Sequence, residues 1–194
     1  MAETNPSPYH HNPRGEQPLE MMPIRLIISL AVIALIMSLT AAAFQAVTPS
    51  IDAAHMRGTS NNVIVELGTM VSGGVARNLD DQNAPPGTQR LLMLDVPHGC
   101  SYISFGGDPD LDGDGILAPD VTGSGSVIVW WIEGIGKQVA WMPPGYPGFR
   151  AGVIFDERWM LSPQAYVIQG VGRHQILVEF VRQGSDSFFL FHGV

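Results

Sequence analysis

The stretch from Leu26 to Phe44, LIISLAVIALIMSLTAAAF, constrains this chain more than any other part of its sequence. It holds 19 residues without a charge, a proline or a glycine. As an α-helix it would extend about 28 Å, close to the roughly 30 Å thickness of a bilayer's hydrocarbon core. Apolar side chains cover every face, so the polar stripe of an amphipathic helix is missing. The sequence therefore predicts a single transmembrane helix over residues 24–47.

Two other interpretations of this stretch are open from the sequence. One is the core helix of a soluble protein, although a domain of this size rarely surrounds a helix on all sides. The other is a cleaved secretory signal, because residues 41–43 are a small-residue run of the kind that signal peptidase accepts. The long, proline-rich leader favours a retained anchor. Arg14 and Arg25 precede the stretch, and the next basic residue is Arg57, which favours a cytoplasmic N-terminus and an extracellular C-terminal domain at the cell membrane.

The apolar stretch separates a leader from an outer region. Residues 1–23 contain five prolines and few apolar side chains, which predicts a disordered cytoplasmic leader. Residues 48–59 are predicted as a stalk, and residues 60–194 as an extracytoplasmic, β-rich domain with its own core. From residue 45 onward, 15 acidic residues stand against 8 basic ones. An acidic region without clustered cations excludes nucleic acid as a partner.

The residues just before the apolar stretch, RGEQPLEM, resemble a known processing signal. A basic residue and a glycine, Arg14 and Gly15, are followed by an apolar helix, as in the class III signal peptide of archaeal type IV pilins and archaellins. The resemblance covers residues 14–45. It implies cleavage after Gly15, which makes Glu20 the fifth residue of the mature chain, where pilin-like proteins commonly carry a glutamate. In a filament, that glutamate pairs with the N-terminal amine of a neighbouring subunit.

Three residues interrupt the match to that family: Pro18, Pro23 and Arg25. The family's helix is continuous and apolar, and a charge in a filament core is costly unless it is paired. At a membrane boundary, the long side chain of Arg25 can extend to the interface instead. An ordinary uncleaved signal anchor is therefore the alternative.

The outer region has mainly β-strand character. Eight segments rich in β-branched and aromatic residues are bounded by Gly, Pro or Asp: 88–96, 100–106, 125–133, 136–142, 149–155, 165–169, 174–182 and 186–192. The connections at residues 134–135 and 183–185 have the composition of tight hairpins. A further helix is predicted over residues 60–79, with Asn61 or Asn62 as its N-cap. The predicted fold class is mainly β, an antiparallel sandwich or rolled sheet, after an N-terminal transmembrane helix.

Residues 108–120, DPDLDGDGILAPD, form a strongly acidic segment. The DxDxDG pattern that starts at Asp110 matches the beginning of a calcium loop, in which alternate side chains turn toward one ion and the glycine permits the bend. The candidate ligands are the side chains of Asp108, Asp110, Asp112, Asp114 and Asp120 and the carbonyl of Ile116. The twelfth position is Val121 instead of the usual Glu, so the match falls short of an EF-hand. We predict structural calcium, and a solvated acidic loop without metal is the alternative.

The remaining motifs do not nominate a reaction. The sequence contains no HExxH, GxSxG, GxGxxG or P-loop pattern, so no enzyme is predicted. Cys100 is the single cysteine, which excludes a disulfide within the chain and favours a buried, inert thiol over intermolecular pairing. Trp130 and Trp131 are adjacent in a predicted strand and should point to opposite faces of the sheet.

These features together predict a membrane-anchored structural or interaction protein of the cell surface. Its partners would be membrane lipid, through residues 24–47, and other pilin-like subunits or envelope proteins. The resemblance to pilins makes a minor pilin-like subunit the more specific form of this prediction. The alternative is an exported binding module that recognises a glycan, a solute or an envelope protein through its β domain.

Overall fold

The computed structural model describes residues 21–123, 125–155 and 158–193. Within these residues, one helix, α1 (Met21–Gly73), is followed by ten strands. The strands are β1 (Arg77–Asn78), β2 (Gln89–Val96), β3 (Cys100–Phe105), β4 (Val127–Ile132), β5 (Gly136–Trp141), β6 (Gly148–Phe155), β7 (Arg158–Leu161), β8 (Tyr166–Gln169), β9 (Gly172–Gln183) and β10 (Asp186–Gly193). The predicted order, a long N-terminal helix and then a β-rich domain, is confirmed.

The described part of the chain divides into two units between Gln45 and Ala46, and α1 contributes residues to both. In the first unit, every side chain of α1 from Pro23 to Gln45 is exposed. The hydroxyls of Ser38 and Thr40 donate hydrogen bonds of 2.8 Å to carbonyls four residues earlier, so they are satisfied within the helix. Among the described residues, α1 is the one helix whose length and composition would allow it to cross a membrane.

In the second unit, α1 has a buried stripe of side chains spaced three or four residues apart. The stripe consists of Ala53, Met56, Ser60, Val63, Leu67 and Met70. The structure corrects the predicted helix at 60–79, because residues 60–73 are the end of α1 and Asn61 and Asn62 lie inside it. Residues 48–59, predicted as a stalk, are also part of α1. The buried stripe already begins within this segment, at Ala53. The helix ends before Gly74, where a Cβ would collide with the carbonyl oxygen of Met70.

The ten strands form two sheets. Sheet 1 has the order β1-β9-β10-β6-β7, with β2 also paired to β9, and sheet 2 has the order β5-β4-β3-β8. All eight predicted strands are present, with ends within two residues of the prediction, whereas β1 and β7 were not predicted. The predicted hairpins are confirmed by glycines with positive φ, Gly134 at 81° and Gly184 at 57°.

Not every strand pairing is antiparallel, which differs from the prediction. β1 pairs with β9 in parallel, and so does β6 with β10. The chain leaves sheet 1 after β7, adds β8 to sheet 2, and returns through β9 before β10. After this crossover through sheet 2, β10 pairs with β6 in the parallel direction.

Both sheets and the second half of α1 share one hydrophobic core. Its aromatic centre joins the two sheets: Phe105 of β3 stacks on Phe191 of β10 with 4.6 Å between ring centroids. Phe149 of β6 meets both rings edge-on, at 6.0 and 5.5 Å. Trp130 is buried in this core, while the adjacent Trp131 lies on the opposite face of sheet 2, as its alternation predicted.

A smaller core lies on the other side of sheet 1, and a buried ion pair adjoins it. The carboxylate of Glu179 accepts hydrogen bonds from Nε and Nη2 of Arg77, at 2.9 and 2.8 Å. The ring of His192 lies 4.2 Å from that of Trp159, measured between centroids, and neither ring nitrogen has a hydrogen-bond partner within the described residues. Burial lowers the pKa of His192, and the charges of Glu179 and Arg77 act on it in opposite directions.

Candidate metal centre

The acidic loop, defined here as residues 108–120, lies between β3 and β4 and folds back over the outer face of sheet 2. Leu117 of this loop packs against the cluster of Tyr102, Val127 and Val129. Farther along the sheet, the loop passes over Trp131. A Cβ added to Gly113 would lie 4.0 Å from Cζ3 of that ring. The loop is therefore supported by the sheet below it.

Three of the predicted ligands meet in this loop. One carboxylate oxygen from each of Asp110, Asp112 and Asp114 lies within 4.8 Å of the other two. Asp112 and Asp114 are exposed, whereas Asp110 is only 1% exposed. Three carboxylates this close together repel one another unless a cation or water lies between them. The arrangement offers hard oxygen ligands of the kind that calcium and magnesium prefer.

The backbone of the loop turns so that alternate aspartates converge. Gly113 and Gly115 have φ of 75° and 83°, in the left-handed region that favours glycine. The N–H of Gly115 donates to Oδ2 of Asp110 at 3.2 Å, and the N–H of Ile116 donates to Oδ1 of Asp114 at 2.7 Å. These are side chain to backbone bonds within one tight loop, which explains why the sequence pattern alone located it.

Asp110 carries the strongest indication of a ligand. Its Oδ1 atom is buried and has no hydrogen-bond partner in the part of the chain that the structure describes. A buried carboxylate oxygen without a partner is costly, on the order of 1–3 kcal/mol or more. A cation between Asp110 and its two neighbours would supply the missing partner. The donor set therefore fits a divalent metal ion.

The other two predicted carboxylates have different partners. Oδ2 of Asp108 lies 2.7 Å from Nζ of Lys137 on β5. Oδ1 of Asp120 accepts a hydrogen bond of 2.8 Å from the side chain of Gln164. The contact of Lys137 with Asp108 was not predicted, and the one sequence signal for it is that Lys137 is the single lysine of the chain.

The Tyr102 side chain lies on the face of sheet 2 that the acidic loop covers. Its pKa is raised far above the usual value, first by burial and then by the negative charges of Asp108 and Asp110. Two residues away, Cys100 is buried and free, as predicted. Its thiol donates to the carbonyl of Tyr102 at 3.2 Å, and burial raises the pKa of this thiol to about 11. A thiol with so high a pKa is protonated and unreactive at neutral pH.

Comparison with protein-family models, with curated proteins and with solved structures found no match to this chain. The predicted processing residues Arg14, Gly15 and Glu20 lie outside the described residues, as does most of the predicted leader. The described features that bear on function are the helix, the two sheets and the acidic loop.

Proposed function

We propose that this chain is a membrane-anchored structural or interaction protein of the cell surface. Residues 24–47 would cross the membrane once, with the N-terminus in the cytoplasm and the β domain outside. The observation that supports this proposal most directly is the contrast along α1. Its residues 23–45 expose apolar side chains on every face, whereas its residues from Ala53 onward have a stripe buried in a core. Exposed apolar surface costs about 25 cal/mol per Å² in water, and lipid would remove that cost.

A more specific form of the proposal is a minor pilin-like subunit. Its support is the resemblance at Arg14, Gly15 and Glu20. In that form, the apolar half of α1 would pack against the same segment of neighbouring subunits. Either environment removes the helix from water, so the two forms differ in processing and in assembly.

Membrane fractionation and N-terminal mass spectrometry together test both forms. We expect the full chain in the carbonate-resistant membrane fraction, with its β domain digested by protease added from outside. Ile33→Lys should shift the chain out of that fraction, because a charge at the middle of a span is costly. Ile51→Lys is the matched control, since Ile51 is exposed on the same helix beyond residue 47.

The mature N-terminus then separates the interpretations. A chain that begins at Glu16 supports the pilin-like form, and one that begins at Met1 supports a plain anchor. A chain that begins near Phe44 and is found in the medium would refute the anchor. So would an intact chain recovered entirely from the soluble fraction.

We also propose that the acidic loop binds a divalent cation, calcium, in a structural role. Asp110, Asp112 and Asp114 would hold it, and its charge would offset their mutual repulsion. Sites with few protein ligands and flexible geometry bind calcium at around 10⁻⁴–10⁻³ M, a range suited to extracellular modules. The ion would order a loop that covers one face of sheet 2.

Thermal unfolding of the full chain in detergent micelles tests the cation site. Calcium should raise the melting temperature, EDTA should reverse the effect, and Asp110→Asn should abolish it. Asp186→Asn, which changes an exposed aspartate at the β9–β10 turn, is the control and should keep the response. If neither calcium nor EDTA changes the melting temperature, a structural ion is ruled out.

A second candidate function is an exported binding module, and one observation favours it. Val139 and Trp141 lie two residues apart on β5, an edge strand of sheet 2, and Trp141 is 67% exposed. An exposed tryptophan on a β surface is suited to stack on a sugar ring or pack against a protein. Titration with cell-envelope oligosaccharides should then change the tryptophan fluorescence of the parent chain but not that of Trp141→Ala. The absence of any change in the parent would count against glycan binding.

A further inference from the structure

Lys137 lies beneath the acidic loop and holds it by two contacts. It is the second residue of β5 and pairs in register with Trp131 of β4. Its ammonium group forms the ion pair with Asp108, and it also donates a hydrogen bond to the backbone carbonyl oxygen of Asp110. The side chains of Lys137 and Asp108 are only 25% and 21% exposed. A positive charge is therefore held in place next to the proposed cation site.

We infer that Lys137 is an internal cation that competes with the divalent ion and sets the loop's affinity for it. This inference rests on the proposed cation site. Lys137 lowers the affinity in two ways. Its charge repels an ion bound by Asp110, and its ion pair keeps Asp108 from becoming a further ligand. When no divalent ion is bound, the same charge offsets part of the repulsion among the aspartates.

The same contact has an opposing effect, because a hydrogen bond to the backbone of Asp110 would position this ligand and raise the affinity. The repulsion by the Lys137 charge and the positioning by its hydrogen bond differ in how they depend on the charge of the bound ion. Nζ contacts Asp110 directly, so its charge lies well within the Debye length of about 10 Å at 0.1 M salt. The repulsion scales with the charge of the bound ion, whereas a positioning hydrogen bond is the same for every ion. We therefore expect the charge to dominate.

Three substitutions at this position test the inference in the full chain in detergent micelles. Lys137→Gln removes the charge and keeps a hydrogen-bond donor, Lys137→Met removes both, and Lys137→Arg keeps both. Calcium affinity is measured by calorimetry. Terbium affinity is measured by luminescence sensitised through Trp131, which lies under the loop.

We expect Lys137→Gln to bind calcium about tenfold more tightly than the parent, with a larger gain for trivalent terbium. Lys137→Arg should stay within about twofold of the parent, because the charge is kept. Without a divalent ion, Lys137→Gln should melt at a lower temperature than the parent, and saturating calcium should remove the difference. Lys137→Met should bind more tightly than the parent but less tightly than Lys137→Gln.

Other outcomes distinguish the two proposals. If the parent binds calcium through Asp110 and Lys137→Gln binds no more tightly, the inference about Lys137 is overturned and the cation site stands. An equal gain for calcium and terbium would also overturn it, because repulsion must scale with charge. If neither the parent nor Lys137→Gln binds calcium at millimolar concentration, the cation site and the inference are both overturned.

Discussion

Replacing Arg77 tests how the segment before β2 is held against sheet 1. Arg77 of β1 is 14% exposed and Glu179 of β9 is 3% exposed, so the pair between them is largely removed from water. Glu179 accepts the two bonds from Arg77 and a third, of 2.9 Å, from the N–H of Gly87. Nη2 of Arg77 also donates to the carbonyl of Trp159 on β7, at 2.9 Å. One guanidinium therefore connects three strands of sheet 1.

The expected magnitude follows from what each substitution leaves behind. Arg77→Met leaves the Glu179 carboxylate buried without its counter-ion, which costs about 3–5 kcal/mol of unfolding free energy. That is a large share of the roughly 5–15 kcal/mol available to a typical domain. Adding Glu179→Gln removes the stranded charge and keeps an acceptor for Gly87. The double variant should therefore be more stable than Arg77→Met alone, by about 1–3 kcal/mol.

Denaturant unfolding of the full chain in detergent micelles, followed by tryptophan fluorescence, measures these differences. Arg90→Met is the matched control, because Arg90 is exposed on β2 and should change the free energy by less than about 0.5 kcal/mol. The reasoning is refuted if Arg77→Met costs no more than Arg90→Met. It is equally refuted if the double variant is less stable than Arg77→Met.

Two further predictions concern α1 and the pH dependence of stability. Met56→Ala should lower the unfolding free energy by about 2–5 kcal/mol, because Met56 is fully buried, whereas Val65→Ala on the exposed face should change it by less than about 0.5 kcal/mol. Equal effects in denaturant unfolding would contradict the packing of this helix face. The pKa of His192 is lower in the folded than in the unfolded state, so its contribution to stability is present above about pH 6.5 and is lost as the pH falls below that value. Melting curves from pH 7 to pH 5 should therefore be less acid-sensitive for His192→Leu than for the parent, and equal acid sensitivity of the two chains would contradict this contribution of His192.

The strands were predictable because each carries its own signal. Segments such as 125–133 and 174–182 are rich in β-branched and aromatic residues and end at glycines, so their ends fell within two residues of the observed ones. β1 consists of only Arg77 and Asn78, and neither residue favours a strand. It pairs because the chain there lies beside Val181 and Arg182 of β9, more than 100 residues away. Such pairing depends on the tertiary fold and leaves no local pattern.

Tertiary contacts that leave no local pattern in the sequence also determine the length of α1 and the partners of the acidic loop. Residues 48–59 were predicted as a stalk, yet α1 continues through Pro49 and Gly58 in this segment. Gly58 lies between residues of the buried stripe, whose packing outweighs its low helix propensity. In the loop, the DxDxDG pattern predicted three converging aspartates, and one carboxylate oxygen from each of these residues lies within 4.8 Å of the other two. It did not reveal that Asp108 is paired, because Lys137 reaches it only through the register of β5 against β4.

The position of β10 has a consequence for the order in which the domain can form. β10 lies between β9 and β6 in sheet 1, and its Phe189, Leu190 and Phe191 are fully buried. Sheet 2 has all its strands once residue 169 has been synthesised, but sheet 1 has a gap until residues 186–193 follow. Until then, β6 and β9 present unpaired edges, which are prone to pair with other chains. A chain that ends shortly before residue 186 would thus keep both edges unpaired, and we expect it to aggregate more readily than the full chain.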